Sequence, residues 1–291
     1  MNYIISCEST VDLKFEYLIN RGISVLRYGY CIDGELFDDP MGEGNAMDAF
    51  YEAQKRGAKI TTSQINETVY REYFEVLLNE GDVLHISFGS GMSGSVNNAF
   101  RAAEELNGTH ENKVYVVDSF CSSSGYGMLT DIAADLRDAG KSITEVYDEM
   151  IRLGKRIEHR FFCTDLTFFR KSGRVSGPAA AVAAILNICP LMKLDNGGKI
   201  VAYEKIRGKK NAVQRIADDM ASLAEGGRDY DGKCFICHSD CAEYSEILKK
   251  AVLDGFRNIR EITICDIGPV IASHSGPGTV AVFYVGKEER A

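Results

Sequence analysis

Short apolar runs alternate with amphipathic stretches through the first half of the chain. The runs YIIS (3–6), GISVLRY (22–28), VLHISF (83–88) and KVYVVDS (113–119) have the length and β-branched content of strands. Between them, SVNNAFRAAEEL (95–106) sets Val96, Ala99, Ala103 and Leu106 along one stripe with charged residues opposite, the repeat of an amphipathic helix. MLTDIAADLRDAG (128–140) repeats the pattern and stops at Gly140. Strands that alternate with helices predict a parallel, doubly wound sheet.

The pattern changes at LGKRIEHR (153–160), a basic, polar interruption. RFFCTDLTFF (160–169) and an Ala-rich segment follow, then KIVAYEKIRG and a long helix, NAVQRIADDMASLAEGG. KCFICHS, a second helix at 242–254, EITICDIG and GTVAVFYVG complete the chain. This half reads as mixed α/β, with no internal repeat of the first. A chain of 291 residues is near the upper limit for one core, so the expectation is two lobes, 1–157 and 158–291.

Composition narrows the function classes. The apolar and charged fractions, 45% and 26%, are those of a globular protein in water. A net charge of −9 argues against nucleic acid or an anionic membrane as the default partner. The opening MNYIISCEST has no basic segment leading into an apolar one and no cleavage-like site, which predicts a cytoplasmic location. PAAAVAAILNICPLM (178–192) is too short to cross a bilayer and is interrupted by Asn187 and Pro190.

Nine scattered cysteines in apolar contexts read as buried thiols of a reducing compartment. CFICHSDC, with Cys234, Cys237, His238 and Cys241, spells C-x-x-C-H, a spacing used for haem attachment and metal ligation. It also reads as a strand, on which residues three apart face opposite ways. No metal or cofactor is expected.

Candidate chemistry concentrates in loops rich in hydroxyls: SCEST (6–10), TTSQ (61–64), the turn at 89–95, DSFCSSSG (118–125) and HSGPGT (274–279). Several fall at carboxyl ends of strands, where open parallel sheets bind ligands. They imply a site dense in neutral donors. Within the turn, Gly89-x-Gly91-x-x-Gly94 has the spacing of a dinucleotide fingerprint, with Asp118 ending the next strand. GMSGS nearly makes a nucleophile elbow at Ser93, with His274 downstream, as in a serine hydrolase acting on a lipid or ester. Ser95, however, stands where that elbow needs glycine, and Asp195, Asp231, Asp240 and Asp266 compete for the acid's role. The third reading is an anion cradle at a helix N-terminus, with Ser93 and Ser95 as donors, and the plainest is that either serine merely caps the helix. These readings stay open on residue pattern alone.

Six segments in order resemble the DegV family, bacterial fatty-acid-binding proteins that serve a fatty acid kinase. ESTVDL (8–13) is similar to the family's D-S-T-x-D-L, with Glu8 in place of the acid, and TSQ (62–64) to its T-S-Q-P-S. GMSGSVNNA (91–99) resembles L-S-G-T-x-x-x-A, and VVDSFCSSSGYG (116–127) resembles D-S-x-x-x-S-x-G-x-G. FRKSGRVSG (169–177) and HSGPGT are similar to two further signatures.

The resemblance implies a two-lobed α/β fold holding a buried long-chain fatty acid. Thr62 and Ser93 would hydrogen-bond its carboxylate with His274 beside them, supported by loops bearing Ser9, Thr10, Ser63, Gly94, Ser95, Ser123 and Gly276. A separate ATP-dependent kinase would phosphorylate the presented carboxylate. The chain itself would supply no catalytic residue, in keeping with the absence of a P-loop spelling. The resemblance also leaves room for transient membrane contact.

Arg170, Lys171 and Arg174 in RKSGR, and Arg207 in RGKK, are then either solvated surface or a docking face for the kinase. His274 is expected as a neutral donor rather than a charge switch. The Ala-rich stretch could line a tunnel for the tail, and Phe161, Phe162, Phe168 and Phe169 are either core or tunnel wall. Two departures stand out. Ile65 and Asn66 replace Pro-Ser, which predicts a less rigid loop, and Phe120 and Cys121 replace smaller polar residues, which predicts altered chain selectivity.

Overall fold

The computed structural model describes residues 3–164, 166–175, 187–259 and 262–291. The first half contains strands β1 (Tyr3–Glu8), β2 (Ile23–Leu26), β3 (Gly29–Ile32), β4 (Glu35–Asp38), β5 (Ile60–Thr62), β6 (Asp82–Ser87) and β7 (Val114–Asp118). Its helices are α1 (Phe15–Asn20), α2 (Ala46–Lys55), α3 (Glu67–Leu78), α4 (Ser95–Asn107), α5 (Ser123–Asp138) and α6 (Ile143–Gly154). β2, β1, β6 and β7 form, in that order, a parallel sheet. Ile5, Leu84, Ile86 and Val117 are fully buried, as expected where helices cover both faces of a parallel sheet. The winding reverses between β1 and β6, and the carboxyl ends of these two strands open the crevice that such sheets use for ligands.

Of GISVLRY only Ile23–Leu26 is strand. The chain leaves the parallel sheet after Leu26, and β3 joins β4 and β5 in a small antiparallel sheet. Asp33 and Gly34, both at positive φ (52° and 97°), form the turn between β3 and β4, as two-residue hairpins require. This unanticipated sheet places Thr62 at the end of β5.

The second half contains α7 (Thr167–Ser172), β8 (Ile157–Phe162), β9 (Ile188–Leu194), β10 (Ile200–Arg207), α8 (Lys209–Leu223), β11 (Phe235–Ser239), α9 (Ala242–Gly255), β12 (Thr263–Asp266), α10 (Pro269–Ser275) and β13 (Thr279–Val285). Its six strands lie in the order β10-β9-β8-β13-β11-β12, and only β11 and β12 run parallel. The mixed α/β expectation holds. The proposed Ala-rich tunnel wall falls largely on 176–186, outside the described residues.

Helix α5 sits between the sheets, touching β1 on one side and β8, β11 and β13 on the other. That explains why Ser123 to Asp131 are buried without a break. It also explains a mid-helix glycine: a Cβ on Gly125 would lie 2.5 Å from the His159 ring and 2.6 Å from Phe283. Two buried ionic groups tie the halves together. Asp131 accepts from Arg21 (2.7 Å) and from Lys233. Arg290, 3% exposed, donates to the carbonyls of Gly154 (2.8 Å), Phe120 (2.8 Å) and Asp195 (3.2 Å).

Candidate functional site

At the end of β1 the buried Glu8 collects donors from three elements, α3, β6 and α5, and from the residue that follows β6. Its Oε1 accepts from the hydroxyls of Tyr70 (2.6 Å) and Ser87 (2.7 Å) and lies 3.1 Å from His85 Nε2. Its Oε2 accepts the Phe88 N–H (2.9 Å) and meets the Tyr126 hydroxyl. Burial opposes ionisation of this carboxyl. Attraction to His85 and hydrogen bonds from His85, Tyr126 and Tyr70 outweigh burial, and hold its pKa below the ordinary carboxylate range. Sequence reasoning read Glu8 only as a departure from a motif. The structure makes it the anchor that fixes where β6 hands over to the glycine turn.

The glycines of that turn serve close chain approach. A Cβ on Gly89 would lie 2.8 Å from the backbone of Cys121, and one on Gly91 would overlap the backbone of Gly198, from the β9–β10 turn. Gly94 abuts the Gln64 side chain, bringing the glycine turn against the loop after β5. The spacing is thus explained without a pyrophosphate. Nor does a serine side chain cap α4: Gly94 is the N-cap. Ser93 Oγ donates to Ser95 Oγ (3.1 Å), which itself accepts the Ile65 N–H (3.1 Å). Ile65 O accepts from Asn98 (2.7 Å), and Asn66 Oδ1 caps α3 by accepting the Val69 N–H (3.0 Å). The loop expected to be looser for want of proline is therefore pinned by side chains.

These loops meet the second half at an apolar cleft. Phe88, Met92, Phe161, Phe169, Leu194, Ile200, Ile267, Val270, Ile271 and Phe283 supply its wall, while Tyr28, Thr62, Ser63, Ser93, Ser123 and His274 supply its hydroxyls and imidazole. Phe161 and Phe169 are thus wall, and Phe162 is buried core. Neither Phe120 nor Cys121 is among the residues that line the described wall. Thr10 and Ser9 also lie behind the cleft rather than in it: Thr10 is buried in the turn after β1, and Ser9 Oγ accepts the Tyr28 N–H (3.1 Å). Cys237 reaches the cleft as a buried thiol against Ser123 (3.4 Å), with its pKa pushed up by burial.

HSGPGT is not wholly a loop. His274 and Ser275 end α10, a helix announced by Pro269 at its first turn. Gly276 follows at φ 70°, where a Cβ would overlap Phe168. The N–H of Gly268, the N-cap of α10, is held on Asp12 Oδ1 (3.0 Å), and Gln54 donates to Ala272 O (3.2 Å). Ser123, the first residue of α5 rather than a loop residue, donates to the other oxygen of Asp12. Two helices that line the cleft are therefore positioned by one buried carboxyl.

The result of this placement is a 2.8 Å contact between Thr62 Oγ1 and His274 Nε2. Burial, and after it the charge of Arg174, press the His274 pKa down to about 4, so the ring is neutral near pH 7. For Thr62 to donate its proton to an occupant, His274 Nε2 must carry the ring proton and donate to Thr62. Arg174 itself is not on an open docking face. It is half-buried, donates to Ser172 O (2.6 Å), and lines both the cleft and an adjoining vestibule with Lys59, Lys171 and His274. Arg170, Lys171 and Arg207 are exposed.

The His274 shift has a measurable sign. Between its folded value of about 4 and the unfolded value near 6.5, the unfolded chain holds a proton that the folded chain excludes. Stability from this group is therefore lost as pH falls from about 6.5 to about 4. Asp39, raised by burial to about 6, pulls the other way over part of that range. The difference between wild type and His274→Gln isolates the histidine. Denaturant unfolding of ligand-free protein across this range should show the variant's curve flatter, by up to about 1.4 kcal/mol per pH unit. Parallel curves would contradict the neutral assignment.

The fold and cleft together define an α/β protein with an apolar cleft that ends in hydroxyls, a neutral histidine and Arg174. The family model for the DegV family, described as uncharacterised protein, matches residues 3–287, and the chain belongs to that family. It is 31% identical over 294 residues to the DegV domain-containing protein YteA of Lactococcus lactis, with 100% of each chain covered. A fatty-acid-binding DegV family protein from Thermus thermophilus has a TM-score of 0.87 at 27% identity, covering 98% of this chain and 100% of that one. A fatty-acid-binding DegV family protein from Streptococcus agalactiae has a TM-score of 0.84 at 25% identity, covering 99% and 100%.

Proposed function

We propose that this protein binds a long-chain fatty acid in the cleft and presents its carboxylate to a separate ATP-dependent kinase, which forms the acyl phosphate. The observation that carries the reading is an apolar cleft whose polar end gathers hydroxyls, a neutral histidine and the half-buried Arg174. The first half of the chain supplies Thr62 and Ser93 for the carboxylate. The second supplies most of the wall and His274.

Burial of about sixteen carbons at roughly 0.8 kcal/mol per CH₂ gives on the order of 10 kcal/mol of gross drive. Desolvating a carboxylate costs several kcal/mol, and hydroxyl donors at about 1.5–3 kcal/mol each offset much of that. Apolar contact thus sets affinity, and the donors set which end faces the vestibule. Exposed Arg170, Lys171 and Arg207 offer an acidic partner surface its counter-charge. A hydrolase reading through Ser93 lacks support: among the described residues neither histidine of the cleft bonds to it, His274 meeting Thr62 and His159 the backbone of Ser122 and Ile157.

The test is denaturing extraction of protein purified from cells, followed by mass spectrometry of the extract. A long-chain fatty acid at near-stoichiometric yield is expected. Lipid-free protein that also fails to bind added fatty acid would refute the reading.

A further inference from the structure

One polar group in the cleft is left over. Tyr28 is 3% exposed, and its hydroxyl has no hydrogen-bond partner among the described residues. The ring is placed firmly. Its backbone N–H is held by Ser9 Oγ (3.1 Å), its carbonyl accepts the Asp39 N–H (2.9 Å), and the side chain packs in a core with Ile65, Tyr70 and Val270. The hydroxyl faces those of Ser95, Ser93 and Tyr70. None of the three stands in hydrogen-bonding geometry to it. Burial and the nearby Glu8 charge keep the phenol protonated, so it can serve as a donor. A buried donor without an acceptor is costly, and the acceptor that would relieve the cost is one delivered into the cleft that Tyr28 lines beside Thr62 and Ser93.

We propose that Tyr28 is a third donor to the ligand's head group, completing with Thr62 and with Ser93, whose proton turns from Ser95 to the ligand, a set of three hydroxyls that selects a carboxylate over an uncharged head of the same chain length. This rests on the fatty-acid reading of the cleft. An ionised oxygen gains more from a phenolic donor than an alcohol does, because charge-assisted hydrogen bonds are the stronger class. The residue therefore sets specificity for the head group rather than for the tail.

Tyr28→Phe keeps the ring and removes the donor. Delipidated wild type and variant are titrated calorimetrically with hexadecanoic acid and with hexadecanol. The variant should bind the acid about ten- to a hundredfold more weakly, bind the alcohol within about threefold of wild type, and unfold at a temperature no lower than wild type when ligand-free. Unchanged affinity for the acid overturns the assignment of Tyr28 and leaves the fatty-acid reading standing. Equal weakening toward acid and alcohol also overturns it, since that marks a packing role. Failure of the wild type to bind the acid overturns both.

Discussion

Alanine at both Thr62 and Ser93 is expected to weaken fatty acid binding between about a hundredfold and ten-thousandfold. Each lost hydroxyl removes a bond to a charged oxygen worth about 1.5–3 kcal/mol, while the apolar contacts with the tail remain. The two single variants should not sum to the double. Ser93 and Ser95 share a hydrogen bond, and Thr62 shares one with His274, so each substitution also reorganises a neighbour. Tail burial persists in the double variant, so residual binding should favour the protonated acid and strengthen as pH falls. Calorimetric titration of delipidated protein at two pH values checks both points. A double variant within threefold of wild type would show that the carboxylate lies elsewhere.

The second large effect concerns stability. Glu8→Leu strands the hydroxyls of Tyr70 and Ser87 and the Phe88 N–H, all of which now converge on one buried carboxylate. Breaking a buried charged network from one side typically costs about 3–5 kcal/mol. A loss of that size is expected in urea unfolding, with the dependence on denaturant unchanged. Glu8→Gln should lose less, because the amide keeps one acceptor oxygen. A loss below about 1 kcal/mol for Glu8→Leu would mean that the donors find other partners.

What the sequence made legible follows from how local each signal is. β1, β6, β7 and α4 announce themselves because burial on both faces, or along one stripe, is written in adjacent residues. β3 is not anticipated: it is four residues long and begins at Gly29, directly after a run that already reads as a strand. The Asp33-Gly34 pair was the overlooked cue for its hairpin. α10 is seven residues long and rich in β-branched side chains, so only its proline marked it. Thr62, Ser93 and His274 were singled out by resemblance. Their convergence, with Thr62 and His274 separated by 212 positions in sequence, is a product of topology that no spacing rule expresses. The Glu8 cluster was missed for the same reason: Tyr70, His85, Ser87 and Tyr126 each look like ordinary core until the sheet assembles them.

Because α5 is a wall for both sheets at once, the molecule lacks the free swivel that two-lobed binders use to swallow cargo. An oily chain cannot be admitted by parting the halves without stripping that helix from one of them. On the proposed fatty-acid reading, loading is expected at the rim, where α10 and the β5 loop rest on a few polar clasps, with the central partition kept shut.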